Sequence, residues 1–389
     1  MQNNMAQTKN ILIVAGEASG DLHAANLVKE IKKLYPDSAF FGLGGENLQG
    51  QGVDLYFNMV ELAVVGLFEV LKNIGKFRDI FSGILKETER RNPDLAILVD
   101  YPGFNLRLAK ELKKRKIPVI YYISPQIWAW GKDRIKQIRE NIDLMLVILE
   151  FEEALYRKNG VNARFVGHPL LDSIKISTNN KEEILKRYGL NGKIKTIALL
   201  PGSRQKEITT LLPIMLKSAE LISRATKDDV QFLILKTPTV KEEVFSKIIG
   251  DSCLQVKIVG DGFYDGLSVS DFAFVASGTA TLETAIIGIP MIILYKVSFL
   301  TWLYIRSVIK IPYVGLVNVV AQNKIVEEFL QYRADPKRIA EYTIDLLRDK
   351  EKIASIKNEL AKLRIKLGDK GASQTAAQAI VEFFSGNSH

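Results

Sequence analysis

Short apolar runs alternate with helix-like stretches along the first half of the chain. The runs are Ile11–Ala15, Ala39–Leu43, Leu95–Val99, Val119–Ile123, Leu144–Leu149 and Arg164–Val166. Strands that are apolar at nearly every position are typical of a parallel sheet covered by helices on both faces. The pattern therefore predicts an α/β domain of the doubly wound kind.

The same pattern restarts after the polar segment at residues 176–181. The later runs are Thr196–Leu200, Gln231–Leu235, Gln255–Val259, Phe272–Ala276 and Pro290–Leu294. We predict two Rossmann-like domains, residues 1–175 and 176–352, with a cleft between them. A helical segment at 353–389 is expected to pack back toward an N-terminal domain. In such sheets ligands bind at the carboxyl ends of the strands.

Composition narrows the classes of protein that remain. The net charge of +9 over 389 residues indicates an anionic partner, and nucleic acid, anionic lipid and phosphorylated substrates all fit. The single cysteine, Cys253, excludes an intrachain disulfide and suggests a reducing cytosol. The polar N-terminus lacks the pattern of a signal peptide, and charges interrupt the most apolar stretches, so no membrane span is predicted. The three histidines lack metal-ligand spacing, so no metal site is expected.

Two motifs of the first domain follow predicted strands. The turn Ala15–Asp21 has glycines that let the backbone approach a ligand, and Glu17, Ser19 and Gly20 are candidate ligand contacts. The alternative is that Ser19 or Asp21 only caps the next helix. In Asp100–Asn105 the acid is placed to remove a proton from a hydroxyl. The alternative is that Asn105 caps a helix and Asp100 only braces the loop.

Two motifs of the second domain suit an anionic ligand. In Pro201–Glu207, Ser203 and the backbone amides are candidates to hold a phosphate, which Arg204 can grip with its planar fork. In Ser277–Glu283, Gly278 and Thr279 open a helix whose first turn favours anions, and Glu283 can accept hydrogen bonds from ribose hydroxyls. The alternative for the Arg204 loop is an ordinary turn with a surface arginine. The alternative for Glu283 is an acid that only complements the dipole of the helix from its first turn.

Aromatic and apolar stretches leave two questions open. The loop Pro125–Gly131 carries Trp128 and Trp130, which suit either a sugar or acyl site or core packing. The stretch Leu62–Leu85 suits either a buried helix or one lying in a membrane interface, and Val297–Ile311 raises the same question. The candidate membrane-facing residues are Leu67, Leu71, Lys72, Lys76, Phe77 and Phe81.

Taken together, these motifs resemble those of the lipid-A-disaccharide synthase family, inverting glycosyltransferases of the GT-B fold. The matching pieces run in family order through both domains: Val14–Asp21, Asp100–Asn105, Ser124–Trp130, Gly167–Pro169, Leu199–Arg204, Ser277–Glu283 and Asn318. One departure is Gly103, where some relatives carry a second acid, which leaves Asp100 as the only acid of its loop. The resemblance also implies that Asn318 completes the nucleotide site.

The resemblance implies a donor, UDP-2,3-diacylglucosamine, and an acceptor, 2,3-diacylglucosamine 1-phosphate. It implies the β-1,6-linked disaccharide 1-phosphate and UDP as products, peripheral association with the cytoplasmic face of the inner membrane, no cofactor and no nucleic-acid partner. It leaves a homo-oligomer open. Asp100, with an ordinary pKa near 4, is the predicted general base and Glu17 its rival. A UDP-sugar epimerase and a non-catalytic lipid-binding protein are the alternative functions.

Overall fold

The computed structural model divides the chain into two compact units, Met1–Asp172 with Leu367–His389, and Ser173–Lys366. It describes residues 9–60, 74–130, 134–227, 229–237, 240–250, 254, 256–298, 301–303 and 312–386. The division falls three residues before the predicted boundary. The segment 353–389, expected to be helical and to pack back toward an N-terminal domain, is divided between the two units at Leu367.

The first unit contains a seven-stranded parallel sheet in the order β3-β2-β1-β4-β5-β6-β7. The strands are β1 (Asn10–Ala15), β2 (Ala39–Gly44), β3 (Asp54–Asn58), β4 (Leu95–Val99), β5 (Val119–Tyr122), β6 (Leu144–Val147) and β7 (Ala163–Phe165). Their helices are α1 (Ala18–Leu34), α2 (Glu46–Gly50), α3 (Ile74–Arg91), α4 (Pro102–Lys114), α5 (Ile127–Trp130), α6 (Arg134–Asn141), α7 (Glu150–Lys158) and α8 (Leu170–Ser173).

Strand β1 shows why the runs of this sheet are apolar throughout. Leu12 and Val14 pack into the core on one face of the sheet, while Ile11, Ile13 and Ala15 pack into the core on the other. Successive side chains of a strand point to opposite faces, so a sheet covered on both sides requires apolar residues at every position.

The second unit contains a six-stranded parallel sheet in the order β10-β9-β8-β11-β12-β13. The strands are β8 (Lys195–Leu200), β9 (Val230–Leu235), β10 (Val256–Val259), β11 (Phe272–Ala276), β12 (Met291–Tyr295) and β13 (Glu328–Leu330). The helices are α9 (Lys181–Arg187), α10 (Gln205–Thr226), α11 (Glu242–Ile249), α12 (Phe263–Ser268), α13 (Ala280–Ile287), α14 (Leu316–Ala321), α15 (Pro336–Arg348) and α16 (Lys350–Lys366), with a 3-10 turn at Gln331–Arg333.

The last helix, α17 (Ala372–Gly386), belongs to the first unit. Its small residues Ala376 and Ala377 and the side chain of Ile380 join the core that contains β1 and α1. The turn before it is fixed by the Asp172 carboxylate, which accepts hydrogen bonds from the amides of Gly371 and Ala372 at 2.7 and 3.1 Å. The chain therefore returns to complete the fold of its own N-terminal unit.

Candidate functional site

Each sheet has one point where the strand order reverses, and most of the predicted site residues lie there. The reversal falls between β1 and β4 in the first unit and between β8 and β11 in the second. At such a point the two loops leaving the carboxyl ends diverge and leave a crevice for a ligand. The structure therefore supplies each unit with a candidate site at its switch point.

The first unit brings the Glu17 turn and Asp100 together. Ala15 at the end of β1 pairs with Val99 at the end of β4, so the loops that follow are neighbours. Glu17 and Ser19 are exposed, whereas Gly20 is buried. The ring of Tyr101 packs so closely on Gly16 that a Cβ there would lie 2.3 Å from it. Glycine at position 16 is what allows these two loops to touch.

Asp100 occupies a constrained turn. Its φ is 48° and that of Tyr101 is 49°, both in the left-handed region that side chains with a Cβ rarely adopt. The main chain is fixed because Asn105 Nδ2 donates to the Asp100 carbonyl oxygen at 2.8 Å and the Tyr121 hydroxyl donates to the same oxygen. The alternative in which Asn105 caps the helix is wrong: α4 begins at Pro102, and Asn105 braces the turn from within. Such strain is typical of functional sites.

The expectation of an ordinary pKa for Asp100 is corrected. Burial, and secondarily the negative charge of Glu17, raise the pKa of Asp100 to about 6, although the amide of Tyr101 acts in the opposite direction. A carboxylate with this pKa is a stronger base than a solvated one and is still mostly ionised at neutral pH.

Asp21 has a structural role. Neither Ser19 nor Asp21 caps α1, whose N-cap position is Glu17. The buried Asp21 carboxylate instead accepts from the amides of Gly45 and Asn47 and from Asn47 Nδ2, at 2.7–3.0 Å. It thereby fixes the loop after β2, beside the candidate site.

In the second unit the Pro201–Glu207 loop differs from its predicted chemistry. The Glu207 carboxylate accepts from the amides of Ser203 and Arg204 at 3.1 and 3.4 Å, so these amides already have an acceptor. Gly202, with φ of 118°, lets Glu207 approach, since a Cβ would lie 2.5 Å from its Oε2. The Arg204 side chain is 82% exposed and contacts Glu207 at 3.6 Å. Ser203, Gln205 and Lys206 of the same loop are exposed as well.

The Ser277–Glu283 loop is the neighbour of that loop, because β8 pairs with β11. Gly278 and Thr279 are exposed at the start of α13, and a Cβ added to Gly278 would meet nothing within 4 Å. Glu283 lies one turn further and accepts a hydrogen bond from the Tyr264 hydroxyl at 2.7 Å. Burial raises the pKa of Glu283, and the Tyr264 bond partly opposes this. The Tyr264 hydroxyl thus orients the Glu283 carboxylate, a contact that the sequence pattern did not indicate.

Asn318 does not fit its predicted role. The side chain is 0% exposed. Its Nδ2 donates to Val326 O and Glu328 Oε1 at 2.9 and 2.8 Å, and its Oδ1 accepts from the amides of Ile325 and Val326. All of its hydrogen-bonding capacity is therefore used inside the protein. Asn318 braces the segment whose Val314 carbonyl accepts from Ser277 Oγ.

The candidate membrane-facing residues are only partly described. Leu67, Leu71 and Lys72 lie outside the described residues, as does most of Val297–Ile311. Lys76 is exposed on α3, but Phe77 and Phe81 are half-buried and pack against the core of the first unit. The Phe81 ring meets Phe104 edge to face at 5.4 Å. For these two phenylalanines the structure favours the core alternative.

The Trp128 loop contains one further contact that the sequence reasoning missed. Trp128 Nε1 donates to the buried Glu152 carboxylate at 2.9 Å. The sequence did carry a signal for this contact. Glu152 lies in the first turn of the helix after β6, at the same edge of the sheet as Asp100.

No group of ligating side chains suited to a metal ion occurs among the residues that the structure describes. Nor does any helix within those residues have the length and apolar character needed to cross a membrane.

The fold is that of GT-B enzymes. UDP-GlcNAc 2-epimerase from Neisseria meningitidis, solved bound to UDP-GlcNAc, matches with a TM-score of 0.60 and 14% identity, covering 96% of this chain and 99% of that one. The calicheamicin glycosyltransferase CalG4 matches with a TM-score of 0.61 and 11% identity, covering 97% and 99%. Two parallel-sheet Rossmann-like domains thus define a class that contains both glycosyltransferases and epimerases.

Sequence similarity distinguishes between a glycosyltransferase and an epimerase. A family model described as lipid-A-disaccharide synthetase matches residues 11–383. The lipid-A-disaccharide synthase of Syntrophus aciditrophicus is 45% identical, covering 95% of this chain and 96% of its own, and that of Myxococcus xanthus is 41% identical over 97% and 98%. The chain belongs to the lipid-A-disaccharide synthase family and is a glycosyltransferase of lipid A biosynthesis. The epimerase and non-catalytic alternatives are thereby excluded.

Proposed function

We propose that this chain transfers the sugar of UDP-2,3-diacylglucosamine to the 6-hydroxyl of 2,3-diacylglucosamine 1-phosphate, with inversion at the anomeric carbon. The observation that carries the proposal is the Asp100 turn, which holds a carboxylate on a strained backbone at the switch point of the first unit. Family membership supports the substrates, since the relatives are lipid-A-disaccharide synthases by name.

Asp100 is the general base. As the acceptor hydroxyl attacks the anomeric carbon, its proton moves to the Asp100 carboxylate while the bond to UDP breaks. A pKa of about 6 keeps Asp100 mostly ionised at pH 7 and makes it a better proton acceptor than a solvated aspartate. Glu17 is exposed beside it and contacts one of the sugars, together with Ser19 and Gly20.

The second unit binds UDP. The exposed Arg204 fork grips the pyrophosphate, and Gly278 and Thr279 bring the start of α13 against it. Glu283, oriented by Tyr264, accepts from the ribose hydroxyls. Positive charge fixed at the leaving group is stabilising because negative charge develops there as the bond breaks.

The test is an assay of UDP release and disaccharide formation with both acylated substrates, and with each one omitted. We expect both products to form together and only when both substrates are present. The proposal would be refuted if UDP were released at the same rate without the acceptor. It would also be refuted if the donor sugar were interconverted without transfer.

We further propose peripheral association with an anionic membrane surface through the exposed basic start of α3. Lys76 and Arg78 are exposed there, and each such charge contributes about 1 kcal/mol at an anionic surface. Binding to phosphatidylglycerol vesicles is expected to weaken with salt and in Lys76→Glu/Arg78→Glu. The matched control Lys357→Glu/Lys366→Glu has the same net charge on exposed positions of α16. Equal losses in the two variants would contradict a localised surface.

A further inference from the structure

The first unit contains a buried acid that the reaction described above does not use. Glu152, on α7, is 1% exposed. Its Oε1 accepts the hydrogen bond from Trp128 Nε1 at 2.9 Å. Burial raises the pKa of Glu152 to about 7, against the opposing effects of Trp128 and Ser124. Burying a carboxyl group is costly, so its presence in the core calls for a specific explanation.

The contact is one half of a two-point attachment between α7 and the loop that follows β5. Tyr156 lies four residues after Glu152, which places both side chains on one face of the helix. The Tyr156 hydroxyl donates to the Pro125 carbonyl oxygen at 2.9 Å. Helix α7 thus holds the first half of the Ser124–Trp130 loop through Tyr156 and the second half through Glu152. The ring of Trp128 is also packed edge to face on Phe151, 5.6 Å away.

This loop leaves the sheet directly beside the proposed base. Strands β4 and β5 are neighbours, with Val99 paired to Tyr122. The Asp100 amide donates to the Tyr122 carbonyl oxygen at 3.0 Å, and the Tyr121 hydroxyl donates to the Asp100 carbonyl oxygen. A shift of the Ser124–Trp130 loop would therefore move groups that border the Asp100 turn.

We propose that Glu152 is a positioning residue: by holding Trp128, it fixes the Ser124–Trp130 loop beside Asp100 and so sets where the attacking sugar sits. The inference rests on the proposed function, in which Asp100 takes the proton of the attacking hydroxyl. A carboxyl group is suited to the task because the part-buried indole N–H needs an acceptor, and an apolar side chain at position 152 would remove it.

The decisive variants are Glu152→Leu, Glu152→Gln and Trp128→Phe, with Glu153→Gln as the control. Glu153 is the next residue of α7, but it is partly exposed and pairs with Arg157. Leucine removes the acceptor at similar volume, glutamine retains it, and phenylalanine removes the donor. We expect kcat to fall about tenfold to a hundredfold in Glu152→Leu and Trp128→Phe. Glu152→Gln and Glu153→Gln should stay within about threefold, and UDP affinity should not change in any variant.

The double variant Glu152→Leu/Trp128→Phe tests whether the two residues act as a pair. It should be no slower than Trp128→Phe alone, because the same contact is already lost. Losses that multiply, or wild-type turnover in a folded Glu152→Leu, would overturn the proposal. If Glu152→Leu does not fold, wild-type turnover in Trp128→Phe would also overturn the proposal.

Fluorescence separates this inference from the proposed function. The emission of Trp128, obtained as the difference between a protein and its Trp128→Phe counterpart, should change in Glu152→Leu and remain unaltered in Glu153→Gln. This readout needs no substrate, so it tests the contact even if the assay shows no transfer. An unchanged Trp128 emission in Glu152→Leu would show that the contact does not fix the loop.

Discussion

The replacement Asp100→Asn is the most informative perturbation, because the structure predicts opposite effects on activity and on stability. Asparagine keeps the shape of the side chain but cannot accept the proton. General base catalysis contributes typically about 10²–10⁴-fold, so turnover should fall at least about a hundredfold. UDP affinity should be unchanged, because the proposed UDP site lies in the other unit.

The effect on stability follows from the raised pKa. A rise from 3.8 to about 6 on folding means that the folded state disfavours the ionised form by about 3 kcal/mol. The unfolded chain releases this proton near pH 4 and the folded one near pH 6, so the wild type loses stability as pH rises between those values. Asp100→Asn removes that loss. The variant should therefore be more stable by up to about 3 kcal/mol above pH 6, with little gain below pH 4.

Two measurements check the predicted effects of Asp100 ionisation on activity and on stability. The kcat/KM of the wild type should fall as pH is lowered through about 6. Urea unfolding of wild type and variant at pH 4 and at pH 7.5 should show a gain at the higher pH alone. Near-normal turnover in Asp100→Asn, together with an inactive but folded Glu17→Gln, would move the base to Glu17. An equal gain in stability at both pH values would show that ionisation of Asp100 is not its cause.

Four further outcomes are expected. Arg204→Ala should lower turnover on the order of 10²–10³-fold, and Arg204→Lys nearly as much because the planar fork is lost; unfolding should be unaffected, since this side chain is 82% exposed. Wild-type turnover in Arg204→Ala would contradict the assignment. Glu17→Gln should move the acid limb of kcat/KM to lower pH, because it removes a negative charge that raises the pKa of Asp100; a limb moved to higher pH would refute this. Asn318→Ala should lower the free energy of unfolding by about 2–4 kcal/mol, measured in urea, since it leaves the buried amides of Ile325 and Val326 without their acceptor. A stable variant with weakened UDP binding would restore the ligand role to Asn318. Turnover should persist in a chelator, because Arg204 and the start of α13 supply the positive charge; loss restored by magnesium or manganese would argue otherwise.

The sequence by itself determined the central architecture. Strand β4, and β1 after Asn10, are apolar at every position because both faces of the sheet are covered, and this pattern is visible without coordinates. The two strands that the pattern missed, β3 and β13, are both at sheet edges. An edge strand is only partly enclosed, so its sequence mixes polar and apolar residues and gives a weaker signal.

The positions of Asp100, Arg204 and Gly278 could also be predicted, because a loop that follows a buried strand begins at the carboxyl edge of the sheet. Tertiary structure alone decided what each side chain contacts. Asn318 and Asp21 are polar residues in motifs, yet their partners, Glu328 and Gly45, come from other segments and make them structural. The pKa of Asp100, the orientation of Glu283 by Tyr264 and the Glu152–Trp128 contact likewise depend on burial and on residues distant in sequence. Burial and long-range pairing arise only when the chain has folded, and no local pattern encodes them.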